Sequence, residues 1–139
     1  MEQSTTEPQY LGMVLCDNVL RDPDTGKYYL LGTSTHTFAR SFPARYRRMC
    51  VYVALTGIHG SCPITIQAVR ADSEAGEDVQ IGEAKGTIQA PDPLAVAEIT
   101  LKINNLVFPR AGQYHFQLLA GSSLLGERRF TVHQMEQSQ

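Results

Sequence analysis

The stretch from Leu94 to Val132 constrains the fold most tightly, because its apolar residues recur at every second position. Ala97, Ile99, Leu101 and Ile103 alternate with Glu98, Thr100 and Lys102, the period of a strand with one buried face and one wet face. Asn104 and Asn105 break the alternation, and Leu106 to Phe108 resume an apolar run. Pro109, which has no backbone donor, then leads into a turn through Arg110, Ala111 and Gly112. Beyond it Tyr114, Phe116 and Leu118 point one way against Gln113, His115 and Gln117, and Ala120 to Ser123 reverse the chain into Leu124 to Val132. Strand, corner and hairpin in this order predict a sheet protein.

The remaining chain repeats the grammar. Tyr10 to Cys16 reads as a strand, Asp22 to Gly26 as a strong turn, and Lys27 to Thr33 as the returning strand, either a hairpin or a crossing between sheets. Ser34 to Arg48 is irregular and is expected to be a surface connection. Met49 to Leu55 is a dense apolar run, with Val51 and Val53 on the inner face and Cys50 and Tyr52 on the other, as in a central strand. Pro63 to Ala68 reads as a half-buried strand and the polar stretch Ala71 to Asp78 as a loop. Val79 to Ile88, weakened by Gly82 and Gly86, reads as an edge or bulged strand. Short helical turns near Ala44 to Arg48 or Ala90 to Val96 are compatible with this pattern, and no amphipathic helix is. The expected class is all-β, an antiparallel sandwich of about 7–9 strands.

The chain has 139 residues, which fits one domain over residues 10–133, with residues 1–9 as a flexible lead and 134–139 as a flexible tail. A net charge of −2 excludes the overall basic character of a nucleic-acid binder. The polar start from Met1 to Gln9 lacks the features of a secretory signal, and no apolar run approaches the roughly 20 residues that span a bilayer. Three widely spaced cysteines do not make a disulfide framework, which leaves Cys16 and Cys50 as small core-compatible residues and implies a cytoplasmic location.

Reactive chemistry is sparse. His59 and Cys62, with Cys50 if strand pairing brings it near, are the only candidates for a metal site, and a plain loop is the simpler reading. No G-x-S-x-G elbow occurs, His36 and His115 fall on polar or outward positions, and no catalytic residue, metal or cofactor is expected. Glu74, Glu77 and Asp78 read as a solvated loop, and Asp22 and Asp24 as turn residues. Arginine is the unusual local feature. Arg40, Arg45, Arg47 and Arg48 make up four of the 12 basic residues, interleaved with Phe42 and Tyr46. Their planar forks suit carboxylate or phosphate, so Arg40, Arg45, Tyr46, Arg47 and Arg48 are the candidate binding residues.

Gly112, Tyr114 and Phe116 match the spacing G-x-Y-x-C of immunoglobulin-like domains, which the corner region resembles. That resemblance implies a tyrosine corner, with the Tyr114 hydroxyl bonding back to the backbone and Phe116 in the place of the cysteine. The absence of any Trp, and Arg110 where an acidic residue is usual, separate the chain from antibody-type domains. The set Cys16-Asp17-Asn18, Thr25-Gly26-Lys27-Tyr28, Leu31-Gly32, Phe42-Pro43, Val51-Tyr52 and Val107-Phe108-Pro109 is similar to a family of small bacterial domains of unknown function. The resemblance implies a compact cytosolic β-domain of bacterial origin and transfers no catalytic residue.

Two functions follow as expectations. The first is a non-enzymatic interaction or structural module that takes a protein partner or its own copy, with an exposed strand edge at Val79 to Ile88. The second is a small-ligand or anion-binding domain that uses Arg40 to Arg48.

Overall fold

The computed structural model describes residues 8–72 and 77–136. Nine strands run in chain order: β1 (Gln9–Arg21), β2 (Tyr28–Thr33), β3 (His36–Ala39), β4 (Ala44–Thr56), β5 (Gly60–Asp72), β6 (Glu77–Ala90), β7 (Ala97–Phe108), β8 (Gly112–Ala120) and β9 (Ser123–Gln134). They form a sheet of order β2-β1-β4-β7 and a second of order β3-β9-β8-β5-β6. Pairing is antiparallel except where β3 runs parallel to β9. With β4 beside β7 in one sheet and β5, β8 and β9 together in the other, this is an immunoglobulin-like β-sandwich.

The inner faces carry the alternation seen in the sequence. Val51, Val53 and Leu55 of β4 and Leu101 and Ile103 of β7 meet Ile64 and Ile66 of β5 and Phe116 and Leu118 of β8. Each such aliphatic side chain contributes about 1.5–3 kcal/mol on burial. Rings fill the end nearest the corner: Phe108 lies 4.8 Å from Tyr114 and 5.7 Å from Phe130, and Phe116 lies 5.8 Å from Phe130. Phe108 of the first sheet therefore joins the two layers by packing on Tyr114 and Phe130 of the second, and Phe116, in the place of the antibody cysteine, backs Phe130 within its own sheet. The fully buried Tyr114 donates its hydroxyl to the Arg110 carbonyl at 2.5 Å and accepts from the Arg110 amide at 3.3 Å. Gly112, at φ 141°, makes the tight corner between them.

Two expectations for residues 34–48 are corrected. The supposed surface connection contains β3 and the first five residues of β4, and Ala44 to Arg48 is extended rather than helical. A short edge strand needs backbone pairing more than an apolar pattern. The Thr131 amide donates to the Thr35 carbonyl at 3.1 Å and the Met135 amide to the Ala39 carbonyl at 2.7 Å, clamping β3 at both ends. The start of β4 was concealed by a change of phase. Tyr46 packs inward, Arg47 and Arg48 are both exposed across from the exposed pair Asn104 and Asn105, and Met49 returns to the core opposite Ile103. Asn105 takes φ 54° to make the change. Ala90 to Val96 likewise forms no helix; the Ala95 amide closes a turn onto the Asp92 carbonyl at 3.1 Å.

Strand β6 is an edge strand, and its pairing with β5 slips by one residue between Ala68 and Val69. Its glycines have a packing reason. A methyl on Gly82 would lie 2.8 Å from Leu106 Cδ1 and one on Gly86 2.6 Å from Leu101 Cδ2, so bare backbone lets β6 close against β7. Strand β9 reaches Gln134, the first residue of the expected tail, while residues 1–7 and 137–139 lie outside the described residues. So does the tip of the expected Ala71 to Asp78 loop, whose flanks belong to β5 and β6.

Gly86→Val should cost about 1–3 kcal/mol of stability by overpacking this seam. Gly12→Ala, which has nothing within 4 Å of the new methyl, should cost nothing. Chemical denaturation of the two variants checks both outcomes.

Candidate functional site

Strand β1 does not stay in the plane of its sheet. Val14 is registered with Tyr52 of β4, and Tyr28 of β2 with Arg21 of β1. At about 3.3 Å per residue an unbent strand would carry Arg21 about 23 Å past Val14. The Tyr28 and Tyr52 rings nonetheless lie 5.6 Å apart. The hairpin of β1 and β2 is therefore a flap, folded back over the outer face of the first sheet.

The bend is at Asp17 and Gly32, which the pairing skips between Cys16↔Thr33 and Asn18↔Leu31. Gly32 sits at φ 70°, and a Cβ there would overlap the Asp17 carboxylate, so the position demands glycine twice over. At the other end the Asp22 amide donates to the Lys27 carbonyl and the Gly26 amide to the Asp22 carbonyl, both at 2.8 Å. The Asp22 carboxylate accepts from the Asp24 amide at 2.9 Å, which lowers its pKa. Asp22 and Asp24 thus serve the turn.

Beneath the flap, Cys16 and Cys50 face each other as thiols with 0 % exposure, although neither points into the sandwich core. Cys50 Sγ approaches the Asp17 carbonyl at 3.5 Å. Burial, then the neighbouring Cys50, pushes the Cys16 thiol up. The Tyr52 hydroxyl donates to the Glu98 carboxylate, and burial followed by that carboxylate holds it well above the ordinary tyrosine range. Val19, Tyr28 and Leu30 form the half-buried side of the flap. Its other side exposes Leu20 at 49 %, Tyr29 at 50 % and Leu31 at 45 %, with Leu20 opposite Tyr29 across the strands.

The arginines meet this flap at its bend. Arg45, Tyr46, Arg47 and Arg48 line an open groove of ≈ 570 Å³ together with Asp17. The half-buried Tyr46 packs its ring 6.3 Å from Phe108 and 6.2 Å from Phe130 and donates its hydroxyl to Asp17 at 3.4 Å. Burial, then Asp17, raises its pKa. Among the described residues, Arg45, Arg47 and Arg48 are all exposed and none is in an ion pair. Arg40 lies outside this groove, in the turn after β3, where its carbonyl accepts from Gln134 Nε2 at 2.8 Å. The sequence reading did not single out Asp17, Leu20, Tyr29 or Leu31 as site residues, and it gave Leu31-Gly32 only as part of the family resemblance.

The other candidates disperse. Cys50 sits under the flap on the first sheet and Cys62 packs at the core margin on β5, and the described residues contain no group of three metal-ligating side chains. His115 Nδ1 lies 3.3 Å from Glu127 on the outer face of the second sheet. The row continues from Glu127 through Gln117 at 3.1 Å to Gln67 at 2.9 Å, a polar ladder. His36 meets the Phe38 and His133 rings edge-on at the β3 edge. Glu74 and the side chains of Glu77 and Asp78 lie outside the described residues.

Gly32→Val should lift the flap. In the wild type a thiol reagent should label only the half-exposed Cys62, whereas the variant should yield all three cysteines under native conditions. Thiol counting before and after denaturation checks this.

Among the described residues no helix is long and apolar enough to cross a membrane. No curated protein matches the chain. Among solved structures, an immunoglobulin-like protein from Pseudomonas aeruginosa is similar at 15% identity and a TM-score of 0.46, over 94% of this chain and 100% of the other. A family model described as a family of unknown function (DUF6941) matches residues 11–133. By that match, which spans the sandwich from β1 to β9, the chain belongs to this family.

Proposed function

We propose that this protein is a non-enzymatic interaction module and that the flap with its arginine border is the docking face. One observation carries the reading: Leu20, Tyr29 and Leu31 stand exposed on one side of a hairpin whose bend abuts three arginines without ion-pair partners among the described residues. Apolar side chains ringed by arginine are the composition of a binding hot spot, and tyrosine and arginine are its most frequent members. The partner that fits is a protein segment with apolar residues flanked by carboxylates, because each arginine fork can donate two parallel N–H bonds to one carboxylate. The reading includes a bacterial, cytoplasmic setting, which suits the buried thiols of Cys16 and Cys50.

Binding of a small anion in the groove of Arg45, Tyr46, Arg47 and Arg48 is the second reading, supported by the same uncompensated charge. Salt weakens both, but only the first depends on Leu31.

Pull-down from native lysate, combined with light scattering over a wide concentration range, tests the proposal. The wild type should retain a protein partner or self-associate. Leu31→Asp and the double change Arg45→Glu with Arg47→Glu should each lower capture at least about tenfold, the equivalent of about 1.4 kcal/mol. A strictly monomeric mass with an empty pull-down would count against a docking role. Capture insensitive to all three changes would move the role to another surface.

A further inference from the structure

We propose that the depression at the β3–β9 edge is a second binding site, for an oxyanion carried on an aromatic ring, with an aryl phosphate monoester as the chemical class. Thr35, His36, Arg128, Arg129, Thr131 and His133 line an open hollow of ≈ 460 Å³. A neighbouring hollow of ≈ 370 Å³ shares Thr35, His36 and Arg128 and adds Thr33 and Ser34, the latter donating its hydroxyl to the His36 carbonyl at 2.8 Å. The Arg128 side chain therefore borders both.

Charge in this region is uncompensated. Glu127 also lines the larger hollow, but one of its carboxylate oxygens accepts from Gln117 Nε2 at 3.1 Å and the other faces His115 Nδ1 at 3.3 Å. Its charge is drawn towards β8. Among the described residues Arg128 and Arg129 are in no ion pair. Arg128 and Arg129 both line the hollow from successive positions of β9, opposite Phe116 and His115, and with the histidines and threonines around it they offer N–H and O–H donors of the kind that phosphate oxygens take. The surplus is local, since the chain as a whole carries a net charge of −2.

An aromatic ladder borders the same hollow. Phe38 stacks on His133 at 4.9 Å and 25°, and His36 meets both rings edge-on at 5.5 and 5.7 Å. Phe38 is nonetheless 55 % exposed, so the ladder presents ring surface to solvent beside the arginines. A planar group attached to the oxyanion can stack there while the arginines hold the charge. Parallel pairing of β3 with β9 creates the arrangement by setting Phe38 opposite His133 and His36 opposite Thr131.

Titration of the full chain with inorganic phosphate and with phenyl phosphate, followed residue by residue by NMR, tests the site. Phenyl phosphate should bind about tenfold more tightly than inorganic phosphate. The double change Arg128→Gln with Arg129→Gln should weaken both ligands at least about tenfold. Phe38→Ala should remove the advantage of phenyl phosphate and leave inorganic phosphate as it was. Arg45→Gln with Arg47→Gln, at the groove on the first sheet, should change neither. Absence of saturable binding by the wild type, or equal binding by the Arg128 and Arg129 variant, would overturn the site. Retention of the phenyl advantage in Phe38→Ala would overturn the aromatic half of the proposal.

Discussion

Strand β4 needs cover on both of its faces. From Met49 to Leu55 six of seven residues are buried, with Val51 and Val53 turned to the second sheet and Cys50 turned outward at 0 % exposure. A sandwich supplies cover on one side only. The flap supplies the other, because leaving Cys50, Cys16 and the Tyr52 ring open to water would forfeit the apolar burial that holds the first sheet together. The positive φ at Gly32 and the overlap a side chain there would suffer with Asp17 both follow from bringing the hairpin back across that sheet.

That requirement also shapes the surface. A two-stranded flap has two faces, so covering the sheet with Val19, Tyr28 and Leu30 turns Leu20, Tyr29 and Leu31 outward. The bend places Asp17 against Tyr46, whose ring anchors in the core beside Phe108 and Phe130, and the phase change at Arg47 and Arg48 directs successive arginines to solvent around it. The same logic operates on the second sheet. There β3 docks in parallel on β9 and brings His36 and Phe38 to His133 and the arginine pair. Each basic cluster lies beside apolar or aromatic surface.

Much of the architecture was legible in the residues. Alternation gave the inner faces of β4, β5, β7 and β8, the dense run at Met49 to Leu55 marked a central strand, and the Gly82 and Gly86 interruptions pointed to a bulged or edge strand. Strand β3 was not legible because an edge strand held by the β9 backbone leaves no apolar period. The start of β4 was hidden because two consecutive outward arginines erase the alternation on which recognition depends. For the site, the Arg45 to Arg48 cluster stood out by composition, and Arg40 was joined to it only by proximity in sequence. The flap escaped notice for a different reason: turn chemistry announces a hairpin but says nothing about the plane in which it lies or which of its faces is covered.

The most direct test is a nuclear Overhauser measurement between the aromatic rings of Tyr28 and Tyr52 in solution, whose centroids lie 5.6 Å apart. Cross-peaks between the two rings are the predicted result, since only a hairpin folded back over β4 brings them together. Cross-peaks from Tyr28 confined to its own hairpin, with Tyr52 seeing only β1, β4 and β7, would contradict the account and remove the basis of the proposed docking face.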